Sequence, residues 1–274
     1  IYNSSPLGYP SLSMAMHSYR NLATVSIAIT LELFIGSPLA TWAQGMRSPS
    51  QEVAINWTPP NRGTPANTEG AGTRNEGTCA EGETTPNPPL TAVMPINSLA
   101  LTVAERPTFF VYVPATSAQK AELILKDESE EIVYAAKIDL PGKAGIVSIS
   151  FPANATPLET GKTYRWYFDL VCNSGKRIFV DRMMVERIEP SQTLQRQLQQ
   201  AKERDRPNIY AQNGLWYDTL TALAAIRRSA ANNTTITADW KQLLESAGLK
   251  EIADKPLIDC CTSESITGSN PVAP

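Results

Sequence analysis

Histidine is nearly absent from this chain: a single one, His17, stands among 274 residues. It lies just ahead of an apolar run that reads as an export signal, so the mature chain is expected to contain none. That excludes mechanisms needing an imidazole, among them Ser-His-Asp and Cys-His hydrolysis, His-ligated zinc or haem, and histidine general bases. A G-x-S-x-G nucleophile elbow is missing as well. Cysteine is scarce, with four residues and no C-x-x-C spacing. Without histidine a zinc site would need all four thiolates, and vicinal Cys260 and Cys261 do not easily share a tetrahedron. Charge is sparse too: 19% of residues are charged, the net charge is −3, and Lys and Arg are scattered. No basic patch of the kind phosphate backbones select is present, so nucleic acid is not an expected partner.

Long apolar runs are also lacking. Leu22 to Ile35 spans about 14 residues, interrupted by Glu32, too short for a membrane span. From Met16 the pattern is that of a secretory signal: His17 and Arg20 form a basic n-region, Leu22 to Ile35 the h-region, and Thr41-Trp42-Ala43 places small residues at −3 and −1 before Gln44. The chain begins at Ile1, and its true start is expected upstream or at Met14 or Met16. Residues 1–43 are therefore read as a signal region, cleaved on export to the periplasm, cell envelope or extracellular space, with no membrane span after cleavage. The cysteines suit such a compartment. Cys79, Cys172, Cys260 and Cys261 are disulfide candidates; a bridge between neighbours is strained, which leaves two crosswise arrangements joining Cys79 and Cys172 to the tail.

Residues 44–90 are rich in Pro, Gly and Thr, with almost no large apolar side chain after Trp57, and are expected to form a disordered linker. The Gly70-Ala71-Gly72-Thr73-Arg74 stretch has neither the strand before it nor the helix after it that a phosphate-cradling loop requires. From about residue 91 to 190 the period is that of strands: Leu99–Val103, Thr108–Val113, Ala121–Leu125, Ile132–Ile138, Gly145–Phe151, Thr163–Cys172 and Ile178–Ile188. Seven β-branched and aromatic runs with Pro, Gly and acidic turns at 8–14-residue spacing predict a β-sandwich of immunoglobulin or fibronectin III-like type. Leu158 to Tyr164 resembles a tyrosine-corner approach, and the strand it opens puts Tyr164, Trp166, Phe168, Leu170 and Cys172 on one buried face. Core burial of Trp166 weakens any sugar-stacking role.

After Pro190 the period becomes helical. Ser191 can cap a helix carrying Leu194, Leu198 and Ala201; Asp205 can cap a second that begins Arg206-Pro207. Asn213-Gly214 marks a break, Trp216, Leu220 and Leu223 form the next apolar stripe, and Trp240, Leu243, Leu244 and Ala247 another, terminated by Gly248. Residues 191–261 are thus read as a helical hairpin region packed on the sandwich or a partner and pinned by a bridge from Cys172 to Cys260 or Cys261. Residues 262–274 are read as an unstructured tail. The fold class is mainly β, α+β overall.

Four blocks carry a resemblance. They are Leu101-Thr102-Val103-Ala104-Glu105-Arg106-Pro107-Thr108-Phe109, Tyr164-Arg165-Trp166-Tyr167-Phe168, Asn213-Gly214-Leu215-Trp216-Tyr217-Asp218, and the ending Pro256-Leu257-Ile258-Asp259-Cys260. Together they resemble a cyanobacterial family of exported proteins catalogued as domain of unknown function 928, over about residues 60 to 260. The resemblance implies export and assigns no catalytic residue, substrate or cofactor.

Asp127-Glu128-Ser129-Glu130-Glu131 lacks the glycine and spacing of a helical calcium loop and reads as a solvated hairpin turn. A glycoside hydrolase needs two carboxylates about 5–10 Å apart in a cleft, for which the pattern points to no site. Asn154-Ala155-Thr156 matches a glycosylation sequon, discounted in a bacterial setting. The Lys202–Arg206 charge run adjoins aromatics, and arginine with aromatics is the composition of interface hot spots. Arg206, Tyr210, Trp216, Tyr217 and Asp218 are therefore the candidate partner surface. The expected function is a non-enzymatic exported module with a protein or glycan partner, without cofactor or metal; the alternative is a histidine-independent carboxylate hydrolase acting on envelope polysaccharide.

Overall fold

The computed structural model describes Ile55 and residues 57–60, 73–74, 78–80, 82–95, 99–230, 232–258, 261 and 263–265, all within the compact unit Ser48–Pro274. The signal region 1–43 and residues 266–274 lie outside the described residues. Among those described, the chain is mainly β, with two mixed sheets and four α-helices. The larger sheet runs β1 (Thr73–Arg74), β9 (Arg177–Arg187), β8 (Thr163–Val171), β5 (Lys120–Lys126), β6 (Ile132–Asp139) and β11 (Ser263–Ser265), with β3 (Leu99–Thr102) parallel to β9. The smaller runs β10 (Leu257–Ile258), β7 (Gly145–Ser150), β4 (Thr108–Val113) and β2 (Thr91–Ala92). Each of the seven sequence-predicted strands is present, within a residue or two at each end.

Burial explains the two kinds of strand pattern. β8 alternates between half-buried and buried residues along its length, because one face meets the core and the other meets water. Tyr164, Trp166, Phe168, Leu170 and Cys172 all turn inward, at most 4% exposed. β4 instead is an unbroken apolar run, Phe109 to Val113, and every one of these residues is buried. Phe109 meets Trp166 of the larger sheet at 4.9 Å between ring centroids, while its neighbour Phe110 meets Trp240 of α4 at 6.3 Å. The smaller sheet is therefore covered on both faces, and a strand covered on both faces has no polar side to alternate with.

The helices are α1 (Gln192–Gln200), α2 (Arg206–Gln212), α3 (Trp216–Ser229) and α4 (Thr234–Ser246). Ser191 caps α1, its Oγ accepting from the Leu194 N–H at 3.2 Å; Asn233 caps α4 through the N–H groups of Thr235 and Ile236. Asp205 occupies the N-cap position of α2 without a side-chain capping bond. The helical region is packed on the sheets, as Phe110–Trp240 shows and as Phe109–Tyr217 repeats at 5.4 Å.

Three expectations are corrected. The first concerns the bridge, which joins Cys79 to Cys172, with Cα atoms 5.0 Å apart, and does not tie the strand region to the tail. β1 pairs with β9, Thr73 opposite Val180, so the following chain delivers Cys79 to the β8–β9 turn, where Lys176 Nζ also donates to the Thr78 carbonyl at 3.1 Å. Cys261 precedes β11, three strand spacings from β8, about 14 Å and out of disulfide reach. Cys261 is itself disulfide-bonded; Cys260 lies outside the described residues. The second concerns the 44–90 linker. Ile55 and Leu90 are buried in the core, and Trp57 packs edge-on against Trp216 at 4.9 Å. Among the described residues of this stretch these apolar side chains join the core, and Glu83 adds a further tie, accepting from the N–H groups of Cys79, Ala80 and Ser117. The third concerns the tail, where Ser263–Ser265 pairs with β6 as an edge strand.

β10 depends on a missing side chain. A Cβ on Gly145 would lie 2.4 Å from Ile258 Cγ1 and 2.8 Å from the Pro256 carbonyl oxygen, the same oxygen that accepts from the Ile146 N–H at 2.8 Å. Gly145→Ala is expected to push Pro256–Ile258 off the sheet edge, to lower unfolding free energy by about 1–3 kcal/mol and to speed amide exchange at Ile146. Urea titration and hydrogen exchange check both.

Candidate functional site: a cleft over Asp218

A cleft of about 230 Å³ opens where the β3–β4 loop meets α2, α3 and the 3₁₀ turn Glu203–Asp205. Gly214 makes this corner. Its φ of +72° ends α2 and starts α3, a conformation that costs a Cβ-bearing residue more, and a Cβ there would stand 3.3 Å from the Thr58 carbonyl oxygen. The Thr58 N–H donates to the Ala211 carbonyl at 3.2 Å, so the Trp57 segment clamps the corner from outside.

Asp218 falls in the first turn of α3, where the helix dipole favours a carboxylate. It is 9% exposed, and its Oδ2 accepts from the Val103 N–H at 3.2 Å. The Thr102 hydroxyl, which accepts from the Ala104 N–H at 3.0 Å, donates to the same carboxylate. Helix and loop are thereby stitched together through one acid. Burial pushes the Asp218 carboxyl up to about 6, against the opposing pull of the Thr102 hydroxyl and the Val103 N–H. Tyr210 at the side of the cleft is raised, first by burial and then by the Asp218 charge, with Arg206 opposing. Behind Asp218, Tyr217 is buried, its hydroxyl accepting from Trp166 Nε1 at 2.8 Å and donating to the Met184 carbonyl at 3.2 Å; burial holds its phenol well above the ordinary tyrosine range.

At the mouth the charges differ in commitment. Arg106 Nε donates to the Ala155 carbonyl at 2.9 Å and its Nη1 faces Glu105 at 3.6 Å. Arg206 and Glu203 are exposed and make no ion pair among the described residues. Small side chains, Ala222 and Ala225 of α3 with Pro107 opposite, form the remaining wall.

The structure brings Arg206, Tyr210, Tyr217 and Asp218 of the candidate surface to this cleft. Trp216 is a correction: it is fully buried, donates from Nε1 to the Val93 carbonyl at 2.8 Å and packs on Trp57, so it offers nothing to a partner. Two residues along a helix point about 200° apart, and Trp216 belongs to the Leu220–Leu223 stripe that faces the core. Sequence reasoning missed Thr221, Ala222 and Ala225, although they stand at i+3, i+4 and i+7 from Asp218, the spacing of one helix face. It also missed Thr102 and Arg106, which only the tertiary fold places there. A further spacing, Ser117-Ala118-Gln119-Lys120, matches the S-x-x-K of acylating serines, but Lys120 is paired with Asp139 at 2.8 Å on the sheet and neither Ser117 nor Lys120 lines the cleft. The acidic Asp127–Glu131 segment is the β5–β6 turn, with Asp127 Oδ1 accepting from the N–H groups of Ser129 and Glu131. Among the described residues no group of three or more His, Cys, Asp or Glu side chains could hold a metal ion.

Because the folded Asp218 binds its proton more tightly than the unfolded one, its contribution destabilises the fold as pH rises from 3.8 to about 6 and stays constant above. Asp218→Asn, which keeps an oxygen for Val103 and removes the charge, is expected to be more stable than the parent at pH 7.5 by up to about 3 kcal/mol and to match it near pH 4. Urea unfolding at the two pH values checks this.

The model of the family described as Domain of Unknown Function (DUF928) matches residues 69–257, from just before β1 to the first residue of β10. No curated protein and no solved structure matches the chain. The match covers more than half of the sequence and includes every residue that lines the cleft, so the chain belongs to the family described as Domain of Unknown Function (DUF928).

Proposed function

We propose that the protein is an exported, non-enzymatic binding module: an immunoglobulin or fibronectin III-like sandwich whose helical region builds a recognition cleft for a protein or glycan of the cell envelope or its surroundings. The cleft over Asp218 carries this reading, since arginine and tyrosine at the rim of a recess are the groups that dominate binding energy at interfaces. The sandwich type is supported by the strand orders 2-4-7 and 9-8-5-6 in the two sheets. The Tyr164 hydroxyl, accepting from the Glu159 N–H of the preceding loop at 2.9 Å, supplies the tyrosine corner. Export is supported by the Cys79–Cys172 bridge, which suits an oxidising compartment, and is compatible with the finding that no helix among the described residues is long and apolar enough to cross a membrane.

Ala225 is exposed on the cleft wall. Immobilised parent protein is expected to retain a partner from a periplasmic or secreted fraction, and Ala225→Trp, which fills the cleft, is expected to reduce that retention at least tenfold. A monomer that retains neither protein nor glycan overturns the reading.

One observation favours the hydrolase as a second reading. Glu203 and Asp218 line the same cleft, and a carboxyl pushed up to about 6 is in the range of a general acid. The binding reading expects no turnover of peptidoglycan or other envelope glycans by the purified protein. Turnover that is lost in Asp218→Asn or Glu203→Gln alone would replace it.

A further inference from the structure

Asp218 is a buried acid that makes no ion pair among the described residues. Its hydrogen-bond donors, the Thr102 hydroxyl and the N–H groups of Val103, Ala104 and Asp218 itself, are all neutral. Buried carboxylates are ordinarily paired with a cation or a metal. The two arginines of the cleft do not serve: Arg106 is engaged by the Ala155 carbonyl and Glu105, and Arg206 is exposed one turn from Glu203, where water and salt screen both rim charges. The floor therefore dominates the field that a ligand inside the recess would feel, because charges interact most strongly where water is excluded. The recess is also small. At about 230 Å³ it falls below the roughly 300–1,000 Å³ of sites for drug-sized molecules, and its walls pair aliphatic Ala222, Ala225 and Pro107 with Tyr210. Apolar walls over a charged floor suit a long methylene stem that ends in a charge.

We infer that the cleft is a socket for one cationic side chain, a lysine or arginine of the partner, whose head group pairs with Asp218. The inference rests on the binding-module reading and names the chemistry of its anchor. A partner with an exposed basic segment then docks by inserting a single residue, and Arg206 and Glu203 read the charges flanking it.

The probe is Nα-acetyl-lysine methylamide, with Nα-acetyl-norleucine methylamide as its uncharged counterpart and Nα-acetyl-glutamate methylamide as the opposite charge. Each is titrated into the full chain while NMR follows the methyl groups of Ala222 and Ala225. The lysine probe is expected to bind at least tenfold more tightly than norleucine and to lose at least tenfold in Asp218→Asn. Lowering the pH from 7.5 to 5.0 should weaken it about tenfold, since only about one Asp218 in ten is then ionised. The other titratable or charged groups facing the cleft are Arg106, Glu203, Arg206, Tyr210 and Tyr217; Glu203→Gln should keep the pH dependence, and Arg206→Ala should bind the lysine probe as tightly or more so. Equal binding of norleucine overturns the inference, as does undiminished binding by Asp218→Asn. Binding of the glutamate probe that vanishes in Arg206→Ala also overturns it, making the cleft an anion site while the module reading stands. If no probe moves the cleft methyls and Ala225→Trp leaves partner retention intact, both fall.

Discussion

The hydrogen bond from Trp166 Nε1 to the Tyr217 hydroxyl holds the two halves of the fold in one register. Trp166 lies in the middle of β8 and Tyr217 in the first turn of α3, 51 residues later, and both are buried against Phe109 of the smaller sheet. Each ring brings a polar group that would be costly to bury alone. The pair, passed on to the Met184 carbonyl, satisfies both at once. Since Tyr217 is fixed, the adjacent residue is fixed as well, and Asp218 is aimed at the β3–β4 loop. The cleft is thus a by-product of how a helix is seated on a sheet, and its walls rest on rigid elements of the fold.

Helices that cover the outer face of the smaller sheet account for the remaining architecture. They make β4 a two-sided core strand, draw Trp240 onto Phe110 and leave the outer face of the larger sheet to water, where Arg177 bridges Asp169 and Glu122 at 2.8 and 2.7 Å. Trp57 adds to this cover at one corner, packing edge-on against Trp216. The disulfide acts elsewhere, at the far end of β8, and closes a loop of 93 residues that contains most of the strands and none of the helices. In the chain-entropy picture such a closure contributes about 4–5 kcal/mol, and it falls on the sheets rather than on the cleft.

What was legible in the sequence was whatever local period encodes. The alternation from Tyr164 to Cys172, the Ser191 cap and the Asn213-Gly214 break all specify local geometry with local chemistry, and each has its counterpart in the structure. The two-residue strands β1, β2 and β10 carry no period to detect; they exist because a partner strand offers free hydrogen-bonding groups. The disulfide pairing was illegible for a related reason, as it depends on β1 lying beside β9. In the cleft, Asp218, Tyr210, Tyr217 and Arg206 were within reach because aromatic and charged residues cluster there in sequence. Trp216 was misplaced by treating neighbours in sequence as neighbours in space, and Thr102 and Arg106, more than a hundred residues away, enter only through β3 and its loop.

The edges of the smaller sheet are guarded by its shortest strands. β2 covers one side of β4 with two residues, and β10 covers β7 with two more, held by the Pro256 carbonyl and the absent side chain of Gly145. A longer strand in either place would present a longer row of unpaired N–H and C=O groups to other chains. Loss of Pro256–Ile258 by proteolysis would bare the apolar edge Ile146–Ile149 as a template for intermolecular pairing, so these few residues near the end of the fold protect its colloidal solubility as much as its stability.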